Sequence, residues 1–363
     1  MKYTSIFILT LFATGAIFGD AHASHTHANT VVAHNISMFQ HTITQNSIRS
    51  FGGSLGASLG GATAPTPTPQ NKDKDTYMRT PMYGRAAIYG EYNDDGSWGR
   101  SGGNTFNQDA TLNGIWLDWQ HGTEDVHFND FARMDSDTDI IMAGISGGQI
   151  KLGNGMSKWG IYTGYIDATQ ENQDMQIHEQ GGFFGIYNGN TFGNFGLYAT
   201  VNGGVLDNTT DNAFGADEHT NFWVGGALNA TYNIILDKTF TLQPGIGAGY
   251  TWIKSENYTS ASGALLANDA FGMIQVSPAL RAIKHIGSGW FGTIGAQYVM
   301  TFDNGGDLKI NGITSAQPEI DDYIEYGLTL EKSISSFSFS AHINRRDGAR
   351  DGWIGGANIK LRF

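Results

Sequence analysis

From about Pro81 to the C-terminus, apolar and polar residues alternate with a period of two, the mark of strands with two unlike faces. Phe240, Leu242, Pro244, Ile246, Ala248, Tyr250 and Trp252 alternate with Thr241, Gln243, Gly245, Gly247, Gly249 and Thr251. Trp290, Ile294, Ala296, Tyr298, Met300 and Phe302 share one face of a later run, and Thr293, Gln297 and Thr301 the other. Ile324, Tyr326, Leu328 and Leu330 oppose Tyr323, Glu325, Thr329 and Glu331; Phe337, Phe339, Ala341 and Ile343 oppose Ser338, Ser340, His342 and Asn344. Runs of roughly 9–14 residues are long for a soluble strand and match a tilted membrane strand. An apolar face ending in aromatics, backed by Gly, Ser, Thr, Asn and Gln, is the lipid-out, polar-in pattern of a transmembrane barrel.

The pattern places strands near 82–93, 139–150, 157–167, 180–188, 192–204, 220–235, 239–253, 271–284, 289–302, 321–332, 336–344 and 352–363. Short turns at 153–156, 189–191, 236–238, 285–288 and 333–335 then alternate with longer polar loops at 168–179, 205–219, 254–270 and 303–320. Such alternation is expected of a membrane barrel, with long loops on one rim. The fold expected is all-β: a transmembrane antiparallel β-barrel of about 12 strands, with 14 open as an alternative. Residues 94–138 are expected as one long outer loop, or as a loop holding an extra hairpin around Leu112, Ile115, Leu117 and Trp119. This segment carries nine acidic and two basic residues.

The N-terminus reads as an export signal. Lys2 is followed by an apolar run from Ile6 to Phe18, and Ala21-His22-Ala23 is an A-x-A cleavage site. Four segments are expected: a signal peptide over 1–23 cut at Ala21 and Ala23, a lumenal helix over 24–51, a Gly/Ser/Pro-rich linker over 52–80, and the barrel over 81–363. Val32, Ile36, Phe39 and Ile43 fall on one helical face, with Asn35, His41, Gln45 and Asn46 elsewhere.

Composition narrows the function. Gly is 50 of 363 residues, about 14% and twice the usual share, while charged residues are only 15%. The net charge of −13 opposes nucleic-acid binding. The absence of cysteine excludes a disulfide scaffold, a thiolate metal site and a thiol nucleophile. No paired motif fixes a catalytic geometry, so no catalytic residue, cofactor or enzyme activity is expected. Three candidate sites remain weak. His25, His27, His34 and His41 have no metal-site spacing. Asp135-x-Asp137-x-Asp139 begins like a calcium loop, but Ile140 and Ser146 stand where glycine and glutamate are needed. Both are read as solvated polar stretches, and no metal is expected. Arg345, Arg346, Asp347, Arg350 and Asp351 are candidates for a charged outer turn that meets lipopolysaccharide phosphates.

The chain ends in WIGGANIKLRF, with Trp353, Ile359, Leu361 and Phe363 on one face and Asn358, Lys360 and Arg362 on the other. Together with WGIYTGYIDA at 159, GGFFGIYNGNTFGNFGLYATVNGG at 181 and FTLQPGIGAGY at 240, this end resembles the translocator domain of autotransporters. The resemblance covers about 80–363, with little or no passenger ahead of it. It implies a 12-stranded barrel threaded by a helix, here 24–51, and an assembly signal in Trp353, Ile359, Leu361 and Phe363. The function expected is a non-enzymatic outer-membrane barrel, translocator-like or surface-exposed. Its partners would be outer-membrane lipid, lipopolysaccharide and the outer-membrane assembly machinery. Two other readings stay open: a porin-like channel for small solutes, and an adhesin-like binder acting through the acidic 94–138 loop.

Overall fold

The computed structural model describes residues 114–363 apart from 130–132, 148–149, 154, 173–174, 213–214, 262, 305–307, 316–318 and 335. Twelve long antiparallel strands follow one another around the sheet. They are β1 (Gly114–His127), β2 (Arg133–Ser146), β3 (Gly155–Glu171), β4 (Met175–Phe192), β5 (Phe195–Asn212) and β6 (Gly215–Tyr232). The second half is β7 (Phe240–Ser255), β8 (Phe271–Gly287), β9 (Trp290–Asn304), β10 (Tyr323–Ile334), β11 (Phe337–Gly348) and β12 (Arg350–Arg362). Each strand pairs with its neighbours in sequence, and β1 pairs with β12 from Gly114↔Arg362 to Val126↔Arg350. The sheet is therefore a closed barrel with no free edge. Ile150–Leu152 and Ile234–Ile235 add short pairings to β3 and β7 without entering the ring.

Gly114 and Arg362 face each other, so the two ends of the described barrel share one rim. The same rim carries the 147–154, 193–194, 233–239, 288–289 and 335–336 connections. In the turn there, Asp237 accepts hydrogen bonds from the Thr239 backbone N–H and hydroxyl, which hold its carboxyl below the usual range. The opposite rim carries the two longest connections, 256–270 and 305–322. Tyr258–Thr259, Leu265–Asn268, Leu308–Ile310 and Ile313–Ser315 tie these two into a separate four-stranded sheet.

The alternation sends apolar side chains outward. Ile294 is 69% exposed and Phe184 56%, and the outward rows of all twelve strands carry such residues. The belt has aromatic borders. At one border Trp119 gives way to His121, Ile141 to Asp139, Tyr165 to Asp167, Ile343 to Arg345 and Trp353 to Asp351. At the other stand Phe192, Phe195, Tyr232, Phe240, Trp290 and Phe337, with Lys332 Nζ 5.0 Å from the Trp290 ring and Lys284 Nζ 5.8 Å from that of Phe240.

The expected strand count holds, but its membership changes. The 82–93 run lies outside the described residues, and the ring closes on Gly114–His127 instead. Residues 114–127 and 133–138, expected as loop, are barrel wall. Their polar residues hid the alternation: above the apolar belt the outward face meets polar surroundings, and the inward face mixes Glu124 and Ser136 with Val126 and Met134. The same cause explains 168–179 and 205–219. These are mostly strand, and only 172–174 and 213–214 connect. Short turns and long loops therefore do not alternate strictly; only 256–270 and 305–322 are long.

If the outward belt lies in hydrocarbon, charge there is costly at mid-depth and cheap at the edge. Ile294→Arg, in the middle of β9, is expected to cost about 2–4 kcal/mol, and Ile286→Arg, beside the β8–β9 turn, about 0–1 kcal/mol. Equilibrium unfolding from lipid vesicles measures both. Equal costs would mean that the belt does not sit across a bilayer.

Candidate functional site: the barrel lumen and its seam

Across β1–β8 the inner wall sets aromatic rings among buried polar side chains: Trp116, Met142, Tyr162, Phe183, Tyr187 and Trp223 belong to one buried cluster, and Glu179, Asn202, Asp217, Asn229, Gln243 and Gln275 are buried on the same strands. Ring centroids lie 6.1 Å apart for Trp116 and Tyr162, 6.2 Å for Tyr162 and Tyr187, and 6.0 Å for Phe183 and Trp223, the spacing of favourable tilted pairs. The polar tips of Trp116, Tyr162 and Tyr187 are satisfied in place. Trp116 Nε1 donates to the Tyr187 hydroxyl at 3.2 Å, and Asn202 Nδ2 donates to the Tyr162 hydroxyl at 2.8 Å.

The glycine excess has its cause here. A Cβ at Gly144 would stand 2.4 Å from the Trp116 ring, and one at Gly160 2.3 Å from that of Tyr187. The rings lie flat across glycines of the neighbouring strand, and a methyl group would lift them off the wall.

The wall formed by β10–β12 is polar. Ser338, Ser340, Asn344 and Arg346 on β11 and Arg350, Asn358, Lys360 and Arg362 on β12 alternate with the outward row. Its centre is an ion network that crosses the β1–β12 seam. Arg346 Nη1 donates to both oxygens of Glu124 at 2.7 and 2.8 Å. Arg350 donates to the same carboxylate through Nε at 2.9 Å and Nη2 at 2.8 Å. Arg346 Nε also reaches Glu325 at 2.9 Å, and Asn344 holds the other oxygen of Glu325 at 3.0 Å. The Tyr323 ring lies 5.6 Å from the Arg346 guanidinium and 6.0 Å from that of Arg350. Glu325, Arg346, Gly352 and Glu124 stand in one cross-strand row over β10, β11, β12 and β1. Gly352 makes the reach possible, since a Cβ there would lie 2.5 Å from the Glu124 Cα. Two guanidiniums and two carboxylates leave the network formally neutral, and both arginines are 1% exposed or less. Lower on the seam, Asn358 and Gln120 both donate to Asp118 at 3.0 Å.

Above the network Val126, Phe128, Met134, Met175, Ile177, Ile320 and Ala349 form a second apolar cluster. There Phe128 bridges to Ile320, and Asn129 N–H donates to the Glu319 carbonyl at 3.0 Å.

These positions settle several expectations. Trp353, Ile359, Leu361 and Phe363 all point outward on β12, 40–61% exposed. Ala21, Ala23, the 24–51 segment and His25, His27, His34 and His41 lie outside the described residues. Arg346 and Arg350 are not outer-turn residues; both point into the lumen. Of the three arginines only Arg345, paired with Asp351 and 5.5 Å from the Trp353 ring, faces out, and Asp347 is exposed beside it. A tight connection through Ala349 leaves no turn in which five charges could share one surface. Asp135, Asp137 and Asp139 lie on an extended strand, where a calcium loop cannot form. The acidic 94–138 stretch does not present a loop over 114–127 and 133–138. The expected lumen of small polar residues holds at Thr200, Asn202, Asn229, Thr231, Gln243, Thr251 and Gln275, but aromatic rings stand between them and charged side chains line the seam. Sequence reasoning singled out Arg346 and Arg350 but missed their partner Glu124, because nothing local links residues more than 200 positions apart.

No family model matches the sequence, and no curated protein matches it in sequence. Solved structures match the fold. The transport unit of the Escherichia coli autotransporter AIDA-I aligns with a TM-score of 0.58 at 14% identity, over 71% of this chain and 92% of that one. The β-domain of the Bordetella autotransporter BrkA gives 0.58 at 14% identity, over 69% of this chain and all of the other. The translocator domain of Neisseria meningitidis NalP gives 0.56 at 12%, over 71% and 91%. The fold is that of autotransporter translocator barrels.

Removing the shared carboxylate should strand two buried guanidiniums. Glu124→Ala is expected to destabilise the folded barrel by about 3–5 kcal/mol. Arg133→Ala, which breaks an exposed pair with Asp125, should cost about 0–1 kcal/mol. The temperature at which the folded band disappears on a heat-treated gel compares them; equal values would deny the network any role in holding the seam.

Proposed function

We propose that the chain is a non-enzymatic outer-membrane barrel of the autotransporter translocator type, exported by a signal peptide cut after Ala23. Its own 24–51 segment fills the lumen. The observation that carries this is the mixed inner wall, where the Trp116, Tyr162, Phe183 and Trp223 rings stand among polar side chains such as Thr200, Asn202, Asn229 and Gln243. A mixed wall suits an amphipathic occupant, and 24–51 offers Val32, Ile36, Phe39 and Ile43 on one face with polar residues on the others. The rim shared by Gly114 and Arg362 would face the periplasm, which puts the 256–270 and 305–322 connections outside. The protein would then present those connections at the surface while its lumen stays shut.

Planar-bilayer recording tests the filling. The full mature chain should conduct almost nothing, and deletion of 24–51 should open a large, steady pore. A large conductance in both would make 24–51 a free tail and the protein a channel.

Phe363, with Trp353, Ile359 and Leu361, would serve the assembly machinery. Burial of a Phe is worth roughly 1.5–3 kcal/mol, too little to unfold a closed barrel. Phe363→Ala should therefore lower the amount reaching the outer membrane several-fold, while the assembled fraction keeps its heat resistance. Lys360→Ala, on the inner face, should leave the yield unchanged. Equal yields for Phe363→Ala and the parent chain would remove the last strand as an assembly signal.

A further inference from the structure

Outside the lumen, one group of side chains combines two donor chemistries in metal-ligand geometry. His121 on β1 stands directly opposite Asp139 on β2, and Asp137 is two residues along on the same outward face. His121 Nδ1 lies 3.3 Å from Asp139 Oδ1 and 3.6 Å from Asp137 Oδ1. The three ligand atoms all fall within 4.8 Å of one another. A tetrahedral ion about 2.0–2.1 Å from each ligand sets those ligands about 3.3–3.4 Å apart, so little movement separates this trio from a coordination face.

The surroundings orient the donors. Thr123 Oγ1 lies 3.4 Å from Nε2 of His121, so a proton on Nε2 leaves the Nδ1 lone pair aimed at the carboxylates. Trp119 stacks on the imidazole with ring centroids 6.4 Å apart and donates Nε1–H to Asp139 Oδ1 at 3.1 Å. Outer partners of this kind fix ring and carboxylate orientation in metal sites. In that tautomer the lone pair faces two carboxylates, and a cation between them would be held by all three groups. The face also carries Asp125, Asp135 and Asp167, partly offset by Arg133 and His178.

We propose that His121, Asp137 and Asp139 form a binding site for a divalent transition-metal ion on the barrel exterior, just above its aromatic border. One imidazole and two carboxylates favour an ion of the zinc or manganese class over calcium, which takes six to eight oxygens. Three donors on a flat sheet leave the remaining positions open to water. The site does not depend on what fills the lumen.

The test is calorimetric titration of Zn2+ alone into the full mature chain, folded in detergent. Histidines 25, 27, 34 and 41 remain in every variant, so the readout is the equivalent of Zn2+ that requires His121. One equivalent should vanish, or weaken by about tenfold or more, in His121→Ala and again in Asp137→Asn. Asp207→Asn, an outward aspartate on β5, should change nothing. All three variants alter exposed side chains, and a heat-treated gel confirms that each is folded. Calcium in place of zinc should show no His121-dependent equivalent. Zn2+ binding indifferent to His121→Ala, or reduced as much by Asp207→Asn, would show only diffuse attraction to an acidic surface and overturn the proposal.

Discussion

In hydrocarbon no water is available to the peptide group, so each backbone N–H and C=O in the apolar belt must find a partner in the protein. A sheet meets that demand only by returning to its first strand. The pairing of β1 with β12 is therefore the interaction on which the remaining architecture rests. It puts both ends of the barrel on one rim, and it turns a run of hairpins, each marginal alone, into a closed wall. It also gives a use to the charges buried at the seam. Backbone pairing between the first and last strands has no covalent turn to set its register. Glu124, held from β11 and β12 by two arginines, supplies a side-chain register mark there. A slip of one residue would turn Glu124 towards the outward face and leave both guanidiniums without it.

The inner wall carries a good deal of bulk of its own. Tyr162, Tyr187 and Trp116 lie over glycines of adjacent strands, which packs large rings into the sheet without pushing the strands apart. Glycine thus does in this wall what small residues do between packed helices: it lets bulk approach backbone. Towards the seam the wall is polar, and there Arg346 and Arg350 neutralise Glu124 and Glu325. The proposed occupant meets both kinds of surface.

Much of this was legible in the sequence, because the period-two pattern is strongest where lipid enforces it. The outward rows of β7, β9, β10 and β11 could be read residue by residue. Where lipid ends, the signal ends. The upper halves of β1 and β2 carry His121, Asp125, Asp135 and Asp137 on the outward face and Glu124 on the inward one, so neither side reads as apolar. These halves passed for loop, and 82–93 took the place of β1. The seam network and the His121 trio were illegible for another reason. Each joins residues brought together by strand register, which a linear pattern does not contain. The aromatic lumen was legible only in retrospect: Tyr162, Phe183 and Trp223 sit among glycines, and the glycines were counted before their partners were known.

The claim that Gly114–His127 closes the ring can be tested directly, since the chain has no cysteine to confuse the result. Leu117 and Ile359 are paired residues on the outward face of the seam. Cysteines placed at both, in the assembled barrel under mild oxidation, should form a disulfide that changes gel mobility, while Leu117 paired with Leu330 on β10 should form none. If a cysteine at Ile359 instead joined one within 82–93 and failed to join 117, the ring would be closed by a different strand, and the seam described here would be wrong.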